Sequence, residues 1–215
     1  MSISQIILLI GTMVIDFDLE HFAHKSKEIL QAFIDDKTIL RRKILEIPQK
    51  NELFSLCEHY DILDKVVLYA DEEFRIRLHI FADGYFDRPH NHRWSYSSFI
   101  LSGGYQHIIY TLIEEKESPG IQDLVPVIVR NEKAGDFYTL HSSQYHSVIA
   151  EPGTVTLVAR GTSDKERFRL IDRVTKEAWW QYGASKESSE DKNKKRMTEA
   201  QFNAALTKLE KLGII

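Results

Sequence analysis

Between Val66 and Arg173 the apolar residues stop recurring every third or fourth position and begin to alternate, which confines this part of the chain to β structure. The clearest case runs from Phe74 to Phe81. Phe74, Ile76, Leu78 and Ile80 fall on one face of that strand, and Arg75, Arg77, His79 and Phe81 on the other. Further strands are predicted at 95–101, 105–113, 124–130, 136–140, 145–150, 154–160 and 168–173. Gly103-Gly104, Ser118-Pro119-Gly120, Gly135 and Glu151-Pro152-Gly153 separate most of them as turns. Many short strands at near-regular spacing imply a sandwich or a closed barrel.

Helical spacing flanks this region on both sides. Asp18 stands where an N-cap belongs, before Leu19, Phe22, Ile29, Leu30 and Phe33. A second helix is predicted near Thr38, with Leu40, Ile44 and Ile47 on one face and Pro48 as its stop. A third is predicted from about Asn51, with Leu53, Leu56, Cys57 and Tyr60 on one stripe. That stripe makes Cys57 an inert core thiol rather than a nucleophile. Near the end, Thr198-Glu199-Ala200-Gln201 forms a capping box with Met197 and Phe202 as its staple, followed by Leu206 and Leu209. Residues 185–196 carry charges of both signs and almost nothing apolar, so a solvated linker is expected there. The expected organisation is a helical segment over 1–62, a β barrel over 63–175, and a polar linker with a terminal helix over 176–215.

The apolar start, at 6–10 and 13–15, is too short to span a bilayer and lacks both a basic flank and a small-residue cleavage site. It is expected to be a buried strand or helix. A formal net charge of −4 with no long basic block removes the electrostatic case for nucleic acid or an anionic membrane and leaves a small molecule as partner. The single cysteine cannot form an internal disulfide, and the cytoplasm is the simplest compartment.

Chemistry concentrates in the stretch from Gly84 to His92. His90 and His92, two apart at the start of a strand, project to the same side and can reach one ion. His146, downstream of Gly135-Asp136, is the best third ligand. Imidazole suits iron, zinc, copper and nickel alike.

Gly84, His90, His92 and Gly104 match the glycine, His-x-His and final glycine of the first cupin motif, and Gly135 and His146 match the second. Over about 66–173 the chain therefore resembles the cupin superfamily. The resemblance implies a mainly β fold, the cupin double-stranded β-helix or jelly-roll barrel, with an N-terminal helical segment and a C-terminal helix. The glutamate of the first motif falls on Ser97. A site of three histidines without that carboxylate resembles the thiol dioxygenase branch, represented by cysteine dioxygenase. It implies His90, His92 and His146 as ligands of Fe(II), with Ser97 leaving room where the glutamate would intrude. The branch's cysteine is absent from that position, and Leu157 and Ala159 stand where a His and a Tyr would be sought, so cysteine is not carried over as substrate.

If the polar face of 74–81 looks into the barrel, Arg77 or Arg75 could fork onto a carboxylate or phosphate and His79 could donate a hydrogen bond. The expected function is a mononuclear non-haem iron dioxygenase acting on a small polar metabolite, carboxylate-bearing ones included. Arg77, His79 and Ser97 form its expected catalytic set. Two alternatives stay open: a zinc, manganese or nickel cupin working as an isomerase or hydrolase, and a cupin module that binds a ligand without turnover. His107 and His141 are candidates to join the site, and His21, His24 and His59 are expected to be ordinary helix residues. The partners implied are a small substrate and dioxygen, no nucleic acid and no membrane, with room for a homodimer paired through sheet edges.

Overall fold

The computed structural model describes residues 18–183 and 186–215, so the expected burial of 6–10 and 13–15 lies outside the described residues. Helix α1 (Leu19–Asp35) starts at Asp18, whose side chain accepts from the Glu20 N–H, and it buries Phe22, Ser26, Ile29, Leu30, Ala32 and Phe33. Asp36 caps α2 (Lys37–Glu46) in the same way, and Pro48 sits in the tight turn Ile47–Gln49 that ends it. The third predicted helix is cut short. Only α3 (Asn51–Phe54) forms, and Glu58–Tyr60 is strand β1, paired with β2 (Leu63–Ala70) in the register Glu58↔Lys65 and Tyr60↔Leu63. Pairing at a sheet edge outweighs a helical stripe here, which also moves His59 from a helix to a strand. Cys57 is fully buried, the Val67 N–H donates to its Sγ, and burial raises its thiol to about 11.

The remaining strands are β3 (Arg75–Phe81), β4 (Tyr96–Ser102), β5 (Gly104–Leu112), β6 (Leu124–Lys133), β7 (Phe137–Leu140), β8 (Tyr145–Ala150), β9 (Val155–Arg160), β10 (Arg167–Ile171) and β11 (Ala178–Tyr182). One layer has the order β1-β2-β3-β9-β4-β7 and the other β6-β5-β8, while β10 and β11 form a hairpin. Segment 85–92 extends the second layer: Phe86 bridges Ile149, and His90 bridges both His146 of β8 and Leu170 of β10. With segment 85–92 counted in the second layer, the chain crosses between layers at every connection from β3 to β9 except the β5–β6 hairpin, and this is the winding of a jelly roll. The cupin double-stranded β-helix expected from the sequence is the fold observed.

Alternation sorts the side chains between two cores. Ile76, Leu78, Ile80, Phe99, Leu157 and Ala159 turn outward and pack against α1, α2 and the terminal helix. Phe81, Tyr96, Ile100 and Val158 turn inward and meet Tyr105, Ile109 and Val148 of the second layer. The terminal helix α5 (Glu199–Lys211) has the predicted capping box of Thr198 with Gln201, and Met197, Phe202 and Leu209 anchor it in the outer core. Of the expected linker over 185–196, the described residues 186–196 are not simply coil. They contain α4 (Ser189–Lys195), which buries nothing but is capped by Ser188 and has acidic residues in its first turn and lysines in its last. Lys195 ties it down through Glu58 and Glu187. No helix among the described residues is long and apolar enough to cross a membrane.

The turn from β4 to β5 depends on glycine. Gly103 has φ +65°, and a Cβ there would lie 2.8 Å from the Thr154 backbone. Gly103→Ala is expected to lower stability by about 1–3 kcal/mol, seen as a lower urea midpoint with an unchanged slope.

Candidate metal centre

His90 and His146 face each other as a hydrogen-bonded antiparallel pair: each backbone N–H donates to the other's carbonyl at 2.9 Å. Residues far apart in sequence thus present their rings on one side of the layer. Asn91 points the opposite way, where its Oδ1 accepts from the Arg169 N–H at 2.8 Å. His92 then returns to the inner side. The candidate ligand nitrogens of His90, His92 and His146 all lie within 4.8 Å of one another.

Hydrogen bonding decides which nitrogens are available. His90 Nδ1–H donates to the Arg88 carbonyl at 2.7 Å, with the Asp87 carboxylate 3.4 Å away, and its Nε2 lone pair is left for a ligand. His107 Nδ1–H donates to Glu132 Oε1 at 3.2 Å, so its Nε2 accepts from His146 Nδ1–H at 3.0 Å. The lone pair of His146 Nε2 therefore faces His92 Nε2, 2.9 Å away. Burial pushes His92 and His146 well below the ordinary histidine range, with the neighbouring His90 adding to the effect, so both rings are neutral at pH 7. Trp94 stacks on His92 at 4.7 Å between centroids and fixes its plane. Two neutral ring nitrogens at 2.9 Å need a proton or a cation between them, and a set of converging neutral imidazoles is chemistry that fits a transition metal.

The other predicted residues divide. Arg75, Arg77, His79 and Phe81 line a cavity of about 340 Å³ shared with the three histidines, on the face that alternation predicts. Arg77 is 7% exposed, with its guanidinium 4.9 Å from the Trp94 ring. His79 lies well below its usual range, through burial and then Arg77 and Lys65. Ser97 lies elsewhere. It does not face the cavity: its hydroxyl lies 2.6 Å from Ser26 Oγ of α1 and 2.7 Å from Thr139 Oγ1, on the outer side of the sheet. Tyr96, one residue earlier, is the inward neighbour, and its hydroxyl sits 3.3 Å from His146 Nε2. The alternation of β4 could have found it. His107 is fully buried behind His146 rather than in the cavity wall. His141 is exposed, bonds through Nδ1 to Ser143 and stands outside the three-histidine group.

No family model and no curated protein matches the chain. Among solved structures, an RmlC-like cupin from Shewanella frigidimarina NCIMB 400 aligns over 51% of this chain and 85% of its own, with TM-score 0.39 and 15% identity. KdgF from Halomonas sp. aligns over 47% and 82%, with TM-score 0.36 and 14% identity. Oxalate decarboxylase from Bacillus subtilis aligns over 51% of this chain and 27% of its own, with TM-score 0.38 and 16% identity. All three are remote, and the fold assignment rests on strand order and crossover pattern.

Proposed function

We propose that the chain is a mononuclear non-haem iron dioxygenase acting on a small, polar, acidic metabolite. The observation that carries this reading is the three-histidine group, with no carboxylate among its members, opening on a cavity that also holds arginines.

Iron(II) held by His90, His92 and His146 would supply redox chemistry and coordination positions that the protein leaves open. The chain's own residues do the rest. Arg77 orients the acidic group of the substrate, and His79, kept neutral, offers its buried and unpartnered Nε2 as a hydrogen-bonding group. Burial raises the Tyr96 phenol well above its ordinary range, so it stays protonated and can donate to a substrate atom beside His146. Trp94 and Phe168, on the cavity wall, limit water there.

Protein purified without chelators is expected to hold about one equivalent of iron and to consume dioxygen with acidic substrates. Stoichiometric zinc or nickel, with turnover that needs no oxygen, would replace this reading with Lewis-acid isomerisation or hydrolysis. Ligand binding without turnover under any metal would reduce the protein to a binding module.

A further inference from the structure

Strands β3 and β9 are antiparallel neighbours in the register Arg75↔Arg160, Arg77↔Val158 and His79↔Thr156. Arg75 and Arg160 thus stand directly opposite each other on the inner face, a like-charge pair that destabilises a sheet. Arg77 is 7% exposed and Arg160 9%. The Nε atoms of Arg75 and Arg77 are buried without a hydrogen-bond partner, and the one side-chain bond of Arg160 runs from a terminal nitrogen to the Gly161 carbonyl at 2.9 Å.

Nearby lysines are treated differently. Lys65 pairs with Glu58, and Lys195 with Glu58 and Glu187. Among the described residues no carboxylate forms a direct ion pair with Arg75, Arg77 or Arg160, although Glu58 lies near enough to favour the charged forms of Arg75 and Arg77. Burial first, and then the neighbouring arginines, pulls the Arg160 guanidinium down to about 9. Arg77 falls to about 10, with burial the main cause. Trp94 braces both, its ring centroid 4.9 Å from the Arg77 guanidinium and 5.8 Å from that of Arg160.

Buried guanidinium groups with no carboxylate bonded to them are an electrostatic cost that Glu58, shared with two lysines, offsets only in part, and an anionic ligand removes more of it. A carboxylate has two oxygens and one charge, which one guanidinium fork satisfies. A phosphate monoester carries nearly two charges and three terminal oxygens, each able to accept more than one hydrogen bond. We infer that Arg75, Arg77 and Arg160 form a subsite for the phosphate dianion of a small metabolite. That the other end of this metabolite reacts at the three-histidine group rests on the function proposed above. The arginine subsite itself does not require the metal.

Calorimetric titration with inorganic phosphate, malonate and acetate at constant ionic strength tests the assignment, using the native chain, Arg75→Gln, Arg160→Gln and the metal-ligand variant His92→Ala. Phosphate is expected to bind the native chain at least about tenfold more tightly than acetate, and both arginine variants are expected to lose about that factor. Their melting temperatures without phosphate should stay level or rise, because each removes one cation of the opposed, unpaired Arg75–Arg160 pair. Retained phosphate affinity in His92→Ala places the anion on the arginines rather than on a metal. Phosphate binding no tighter than acetate, or unchanged in both arginine variants, overturns the subsite, and malonate binding more tightly than phosphate overturns the phosphate assignment. Loss of metal in His92→Ala with phosphate affinity retained keeps the two readings separable, since either can fail alone.

Discussion

His92→Ala and His146→Ala are expected to retain no iron after dialysis under conditions in which the native chain keeps it. The effect exceeds the roughly 10–100-fold loss that removal of a supporting partner causes, because a ligand atom itself is gone. The two variants should differ in stability. His92 is stacked on Trp94 and only partly buried, so its truncation leaves a gap open to the cavity. His146 is 5% exposed and donates to His107, so its removal also leaves a buried acceptor unsatisfied, at a cost of about 1–3 kcal/mol. Elemental analysis with urea unfolding of the same samples separates the two effects. Full metal occupancy in either variant would remove that residue from the ligand set.

The second large effect is expected at residues that never reach the ion. His107 holds the proton of His146 on Nδ1, and Glu132 holds that of His107, so the ligand nitrogen is left bare by a relay of two hydrogen bonds. Arg130 in turn pairs with Glu132. His107→Phe keeps bulk but cannot accept the His146 proton, and metal affinity should fall about 10–100-fold. Glu132→Gln preserves shape while weakening the anchor on His107, and a smaller loss is expected. Competitive chelator titration reads both. Equal affinity in the native chain and His107→Phe would show that packing alone orients His146.

Much of this architecture can be read in the sequence where local signals are strong. Asp18 and Thr198 mark their helices because capping is a contact between residues two or three apart. The inward face of β3 follows from alternation alone. Tyr60 and Cys57 mislead because their spacing fits a helix, while the pairing that makes β1 involves a partner beyond a turn. Helix α4 has no apolar stripe to detect. The glutamate position of the motif falls on Ser97, whereas the parity of β4 turns Tyr96 toward the cavity. Arg160 could not be singled out from local pattern, and nothing local ranks His107 above His141. The importance of His107 and Arg160 depends on registers, His107↔Val148 beside His146 and Arg160↔Arg75, that only the assembled sheets fix.

Asn91 lies between two candidate ligands and is bound on its other side to Arg169 through both its amide oxygen and its backbone. The β10–β11 hairpin carries Phe168, Leu170, Gln181 and Tyr182 to the cavity wall. The segment that holds His90 and His92 and one wall of the cavity are therefore tied to the same hairpin. A molecule that displaced the hairpin is expected to change how well the histidines fit an ion, and measuring metal affinity with and without a cavity ligand checks it. Linkage makes this coupling reciprocal: whatever factor a ligand adds to metal affinity, the metal adds to the ligand's.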